Sequence, residues 1–283
     1  MLKVRIGHTA LTWGYFADPA QLADAIRDCA DLGYAGTETW GGTYDWWERE
    51  RPGELRRLLA DQGVVMACLF LFGDWIDPAA TDALLANGQR WADAVQELGG
   101  NILMLVPGER RADPPYGLDD FARMAETMNA VGAAARAAGA TAAMHPHWGT
   151  MAESRLEIDV LLDRLDPAAV GFAPDTGQIA KGGADAMPTI ARWADRVRHV
   201  HMKDLAPEWA ELRAAGVPLR SPEGYAELGQ GVIDHRPLLD ILDRVDYDGW
   251  LMAELDEARR PARDAAQLSK TYIEGTLGLP LSG

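Results

Sequence analysis

Along the whole chain, short runs of β-branched and aliphatic residues alternate with longer stretches in which apolar positions recur every three to four residues. A continuous or two-residue apolar period marks strands, and the 3.6-residue period marks amphipathic helices. The strand candidates are residues 4–10, 34–39, 64–72, 101–107, 141–147, 170–176, 197–204 and 249–256. Helical patterns lie between them, such as 19–32, where Asp18 is placed to cap free N–H groups and Pro19 suits the first turn. Gly33, Gly63, Gly99 and Gly139 each stand just past such a pattern, where a left-handed cap is costly for any other residue.

Roughly eight strand–helix units in strict alternation predict parallel strands joined by helical crossovers, and about 250 residues is the usual length of a closed (β/α)8 barrel. The expected fold is therefore α/β, a single (β/α)8 TIM barrel domain spanning 1–283. A doubly wound open sheet is the rival. It carries a Gly-rich phosphate turn after its first strand, whereas this chain reads His8-Thr9-Ala10-Leu11-Thr12-Trp13-Gly14 there. No linker or low-complexity tract divides the chain. One long connection, 205–231, contains Pro207, Gly216, Pro218, Pro222 and Gly224 and follows strand seven, which makes it a candidate lid over the barrel mouth.

Charge narrows the partners. With 27 Lys+Arg against 43 Asp+Glu the formal net charge is −16, a poor match to a nucleic-acid backbone or an anionic membrane surface. The longest apolar run, 64–72, is far shorter than the ~20 residues of a membrane span. The opening residues 1–6 lack the apolar core of a secretion signal. Two cysteines, Cys29 and Cys68, cannot build a disulfide framework; both are expected as small core residues in a cytoplasmic protein.

Barrel chemistry sits where strands end. Four of the six histidines form two His-x-His pairs at strand ends, His145/His147 and His199/His201. Alternation places His199, His201 and Lys203 on one face of strand seven, and Trp250, Met252, Glu254 and Asp256 on one face of strand eight. Asp175 ends strand six. Asp175, His201 and Glu254 together are costly to bury unless a charged partner, a divalent ion or a substrate, holds them. His8, His199 and His235 read as hydrogen-bonded core residues. Among the ten tryptophans, Trp13, Trp40, Trp75 and Trp148 follow predicted strands and could stack on the C–H faces of a sugar or cyclitol, or pack loops onto the barrel. Glu38, Gln178 and Asp256 complete the candidate substrate contacts. Trp46-Trp47 reads as an exposed pair through which the chain could form a homo-oligomer.

The stretches Asp175-Thr176-Gly177, His199-Val200-His201-Met202-Lys203-Asp204, Leu228-Gly229-Gln230-Gly231-Val232-Ile233-Asp234 and Tyr247-Asp248-Gly249-Trp250 with Glu254-Leu255-Asp256 resemble the xylose-isomerase-like barrels. That superfamily holds sugar isomerases, epimerases, inosose dehydratases and, more distantly, endonuclease IV-type nucleases. Gly33-Tyr34-Ala35-Gly36-Thr37-Glu38 adds to the likeness in the first half. The resemblance implies one divalent ion, Mn2+ or Co2+ first, Zn2+ or Mg2+ as alternatives, held by Glu, Asp, His and Glu at the ends of strands five to eight. Three of these carry over onto Asp175, His201 and Glu254. Strand five instead ends Met144-His145-Pro146-His147-Trp148-Gly149-Thr150, with no Glu. The paired glutamates by which ketose 3-epimerases move protons are therefore incomplete.

This departure resembles the inosose dehydratase branch, where His-Pro-His-x-Gly-Thr is followed by a Glu, here Glu153. Relatives that read Asp-Thr-Gly-His have a His where this chain has Gln178. With Asp175, His201 and Glu254, His145 is the expected fourth metal ligand, and His147 or Glu153 the proton-transfer residue; which of His145 and His147 binds the metal and which moves protons is left open by the sequence. Lys203 is expected on a substrate hydroxyl or the developing oxyanion. The reaction expected is dehydration of a keto-cyclitol by proton abstraction next to the ketone. The alternatives are a sugar isomerase or epimerase, the catalytic subunit of a C-glycoside-cleaving enzyme with its small partner chain, and a sugar-binding barrel without turnover.

Overall fold

The computed structural model describes residues 2–14, 18–110, 116–215 and 223–281. In chain order the main elements are β1 (Arg5–Thr9), α1 (Leu22–Leu32), β2 (Gly36–Trp40), α2 (Gly41–Glu50), α3 (Glu54–Gln62), β3 (Val65–Phe72), α4 (Thr81–Glu97), β4 (Ile102–Val106), α5 (Leu118–Ala137), β5 (Thr141–Met144), α6 (Arg155–Arg164), β6 (Val170–Phe172), α7 (Thr176–Lys181), α8 (Ala186–Arg192), β7 (Val200–Met202), β8 (Asp204–Leu205), α9 (Trp209–Ala214), β9 (Tyr225–Ala226), α10 (Arg236–Asp243), β10 (Trp250–Ala253) and α11 (Ala262–Gly275). Every strand expected from the apolar pattern is present, shorter at its ends than the pattern suggests. Helix 19–32 begins as a 3-10 turn, Pro19–Gln21, and the Asp18 carboxylate accepts the Ala20 N–H as anticipated. Gly33, Gly63, Gly99 and Gly139 take φ of 86°, 66°, 88° and 88°. No helix among the described residues is long and apolar enough to cross a membrane.

The chain forms two compact units, residues 1–66 with 200–283, and residues 67–199. In the first, the strands run in the order β2-β1-β10-β7, all parallel. In the second the order is β6-β5-β4-β3, again all parallel.

Within the first unit, β10 carries bulky side chains on one face and its neighbours make room for them. A Cβ on Gly7 would lie 2.5 Å from Met252 Sδ, and one on Gly36 would lie 2.6 Å from the Trp250 ring. Glycine at both positions lets those side chains fill the interior without a clash. The Arg5 guanidinium lies 4.4 Å from the centre of the fully buried Trp250 ring.

Three expectations change. Trp47 is 2 % exposed, with its indole N–H on the Pro19 carbonyl, so Trp46-Trp47 is not an exposed pair. Helical geometry in α2 turns Trp47 into the core, while Trp46 meets its ring edge-on at 5.8 Å. Trp75 is 1 % exposed and donates its N–H to the Val106 carbonyl at 2.7 Å, which makes it a packing residue of the second unit. The connection after β7 is not plain loop: β8 and β9 pair antiparallel, with Asp204 opposite Ala226 and Leu205 opposite Tyr225. Gly216, Pro218 and Pro222 of the candidate lid lie outside the described residues. Cys29 and Cys68 are free and buried, as expected.

Candidate functional site

In the first unit, alternation at the end of β7 sends His201 and Lys203 one way and Asp204 the other. His201 is 1 % exposed and both of its ring nitrogens face carboxylates. Nε2 lies 3.0 Å from Glu38 Oε1, at the end of β2, and Nδ1 abuts the Glu254 carboxylate, just past β10. The Lys203 ammonium, wholly buried, donates to Glu254 Oε1 at 3.0 Å and to Asp256 Oδ1 at 2.6 Å. It also sits 4.4 Å from the centre of the Tyr225 ring, contributed by β9.

This cluster sets its own electrostatics. Burial disfavours the imidazolium of His201, but the carboxylates of Glu254 and Glu38 outweigh it and hold its pKa well above the usual imidazole value. Burial pushes the Asp256 carboxyl up to about 6; Lys203 pulls the other way and Glu254 adds to the rise. Three carboxylates, Glu38, Glu254 and Asp256, thus share one ammonium and one imidazole.

Asp204, on the opposite face, is a structural clamp. Its carboxylate accepts the backbone N–H groups of Leu205 and Ile233 at 2.9 Å on one oxygen. The other oxygen takes those of Gly229 at 3.0 Å and Gly231 at 2.9 Å. The Leu228–Asp234 stretch of the sequence is therefore a loop gathered around one buried carboxylate. His8 is also a core residue: its Nδ1–H donates to the Thr9 carbonyl, with the rings of Trp13 and Tyr34 edge-on at 5.4 and 5.3 Å. Burial, only partly opposed by the Thr9 carbonyl and the charges of Glu38 and Glu254, lowers its pKa to about 4. Trp13 binds the Asp28 carboxylate through its N–H, and Trp40 stands at the N-terminus of α2.

In the second unit, His145 and Asp175 are buried and present ligand atoms within 4.8 Å of each other. The Asp175 carboxylate also caps α7, accepting the Gln178 N–H at 2.8 Å. His145 Nδ1–H donates to the Ala173 carbonyl at 3.2 Å, so the lone pair of this imidazole is on Nε2. His147 is held by Trp148 and Gln178, with its Nδ1 2.7 Å from the Trp148 carbonyl and its Nε2 2.9 Å from the Gln178 amide nitrogen. The Trp148 ring carries the Lys181 ammonium at 4.3 Å. Glu153 accepts the Gly149 N–H at 2.9 Å and lies 3.4 Å from the Arg110 guanidinium. His199 is a buried core residue that lies close to Cys68 in the same unit.

The geometry gives one expected residue a new partner and adds one participant. Glu38, expected on the substrate, meets His201 directly. Tyr225 was missed altogether, because nothing in its local sequence announces the short hairpin that places it under Lys203.

A family model described as xylose isomerase-like TIM barrel matches residues 26–272. The chain belongs to this family. The parallel strand–helix units of this xylose isomerase-like chain are those of a TIM barrel, not of a doubly wound sheet. An inosose dehydratase of Geobacillus thermodenitrificans is 30 % identical over 299 aligned positions, covering 98 % of each chain. The match to the inosose dehydratase of Lacticaseibacillus casei, also 30 % identical, covers 66 % of this chain and 65 % of that relative. Among solved structures, the IOLI protein with a bound zinc atom superposes with a TM-score of 0.77 over 97 % of this chain and 98 % of its own, at 13 % identity. That last likeness speaks to the fold alone.

Proposed function

We propose that this xylose isomerase-like barrel is a divalent-metal-dependent lyase that dehydrates a keto-cyclitol, an inosose. The observation that carries the reading is the buried cluster in the first unit, where an imidazole is flanked on both nitrogens by the Glu38 and Glu254 carboxylates and an ammonium bridges Glu254 to a third, Asp256. The near full-length match to an inosose dehydratase supports a keto-cyclitol as the substrate class.

The donor set suits a divalent ion. Carboxylate oxygen with imidazole nitrogen fits Mn2+, Co2+ or Zn2+. Three carboxylates gathered around one ammonium and one imidazole still outnumber their cationic partners, and a bound cation would offset that buried negative charge. Glu38 Oε1 lies 3.0 Å from His201 Nε2, where a ligating histidine commonly has a carboxylate beside its far nitrogen. A divalent ion bound at Nδ1, beside Glu254, would take the place of the second imidazole proton that the two carboxylates otherwise hold there. His201 and Glu254 are thus the ligands we assign from the first unit. Asp175 remains the further ligand that the sequence resemblance implies, and His145 the one expected in place of the missing strand-five Glu.

A bound divalent ion polarises a ketone oxygen and stabilises the enolate charge that develops there. Proton transfer falls to His147 rather than Glu153, because the Glu153 carboxylate is committed to the Gly149 N–H and Arg110. The His147 Nε2 lone pair takes the proton from the carbon next to the ketone, and the electron pair of that C–H bond enters the enolate. Collapse of the enolate then breaks the β C–O bond, and the imidazolium returns the proton to the leaving hydroxyl, which departs as water. Lys203 holds Glu254 and Asp256 in place and donates to a substrate hydroxyl.

The test is incubation of purified protein with 2-keto-myo-inositol and Mn2+, Co2+ or Zn2+, with mass spectrometry following the loss of one water. Elemental analysis of the wild type, His201→Ala and Glu254→Gln accompanies it. Metal-dependent product, and metal binding abolished in both variants, are expected. Absence of product with every ion refutes the activity, and full metal occupancy in both variants refutes the ligand assignment.

A further inference from the structure

The bonds around His147 form a closed circuit whose polarity can be read without seeing a hydrogen. The Trp148 carbonyl only accepts, so the His147 nitrogen 2.7 Å away, Nδ1, must carry the proton. The Trp148 backbone N–H only donates, so the Gln178 atom it meets at 3.0 Å is the amide oxygen, Oε1. That orients the amide: its NH2 faces His147 Nε2 at 2.9 Å and donates to it. One residue, Trp148, therefore fixes both ends of the circuit through its own backbone, and Gln178, 1 % exposed, is the element that joins them.

Each alternative assignment breaks the circuit. Turning the Gln178 amide over would set its NH2 against the Trp148 N–H. Moving the imidazole proton to Nε2 would set it against the Gln178 NH2 and leave the Trp148 carbonyl facing a lone pair. Gln178 in turn cannot drift, because its backbone N–H is capped by the Asp175 carboxylate in the first turn of α7. We propose that Gln178 is a positioning residue that holds His147 as the Nδ1–H tautomer, keeping the Nε2 lone pair aimed along the Gln178 amide as the ring's basic atom.

The proposal rests on the reading of His147 as the proton-transfer residue and gives Gln178 a specific task within it. Gln178 itself exchanges no proton; it determines which nitrogen does. A substrate C–H or hydroxyl that reaches Nε2 takes the place of the amide donor, and the proton it gives up forms the second N–H of the ring. The electron pair of the broken bond stays on the substrate.

The experiment is long-range 1H–15N correlation of histidine-labelled full-length protein, with and without Zn2+, on the wild type, Gln178→Glu and Gln178→Met. In the wild type, Nε2 of His147 should give the signal of a lone-pair nitrogen and Nδ1 that of a protonated one. A carboxylate in place of the amide faces Nε2 with an acceptor, so Gln178→Glu should move a proton onto Nε2 and abolish the lone-pair signal. Gln178→Met keeps the volume, shifts the Nε2 signal by removing its donor, and lowers kcat ~10-fold with KM and metal content unchanged. A wild-type His147 protonated on Nε2 alone, or an unchanged pattern in both variants, overturns the proposal. The tautomer signal needs no turnover. An expected pattern in a protein that leaves inosose untouched would overturn the proposed activity alone, whereas an active enzyme with the other tautomer would overturn this assignment alone.

Discussion

Removing the ammonium of Lys203 isolates the electrostatics of the buried cluster. In Lys203→Met a side chain of similar length replaces one that is wholly buried and bonded to Glu254 at 3.0 Å and Asp256 at 2.6 Å. Breaking a buried ion pair by deleting one partner costs about 3–5 kcal/mol, because the remaining charge has lost both water and its counter-ion. Here two carboxylates remain, so the upper part of that range applies at pH 8. Acidification should narrow the gap. Asp256 already has its pKa raised from 3.8 to about 6, which means that the folded chain binds this proton more tightly than the unfolded chain. At pH above 6 that shift costs the wild type about 3 kcal/mol, and the cost is recovered as pH falls from 6 toward 3.8. Without Lys203 the Asp256 carboxyl rises further and takes its proton at higher pH. The variant's deficit at pH 5.5 should therefore be at least ~1 kcal/mol smaller than at pH 8. Urea unfolding followed by tryptophan fluorescence, in the presence of chelator, measures both values. Adding Asp256→Asn to Lys203→Met should restore part of the loss at pH 8. A deficit below ~1 kcal/mol at pH 8, or one that does not change with pH, would show that the ammonium is not what makes these carboxylates tolerable.

Other outcomes follow from the same geometry. His8, with its pKa lowered to about 4, is neutral in the folded chain and must gain a proton on unfolding below pH 6.5. Its contribution is present in full above pH 6.5 and is lost as pH falls through 4, up to about 3 kcal/mol. Comparing the stability of wild type and His8→Asn between pH 7 and 4 should show a flatter profile in the variant, and parallel profiles would contradict the assignment. Asp204→Ala removes the acceptor for four backbone N–H groups and should cost at least ~3 kcal/mol, with faster amide exchange at Gly229, Gly231 and Ile233. Unchanged exchange at those three amides would mean that the loop does not depend on this clamp. Ser154→Ala, which deletes the hydroxyl that accepts the Glu157 N–H at the start of α6, should lower stability by about 1 kcal/mol in the same unfolding assay. No loss there would place the capping energy in the Glu157 carboxylate alone.

The strands and helices were legible in the sequence because each is set by local periodicity and by capping residues a few positions away. Asp18, Gly33, Gly63, Gly99 and Gly139 did what their backbone chemistry requires. The same local geometry put His201 and Lys203 on one side of β7 and Asp204 on the other, so the chemistry at that strand end could be anticipated. The tertiary structure decided who meets whom. Glu38 against both His201 and the charge of the cluster, Tyr225 under Lys203, and Gln178 across from His147 are contacts between elements distant in sequence, and residue spacing carries no information about them. Burial was equally out of reach. Trp47 and Trp75 have the sequence setting of surface or mouth tryptophans, yet their N–H groups are spoken for by the Pro19 and Val106 carbonyls inside the core. A period of two or 3.6 residues fixes the direction of a side chain relative to its own element; only the packing of elements against one another fixes what lies in that direction.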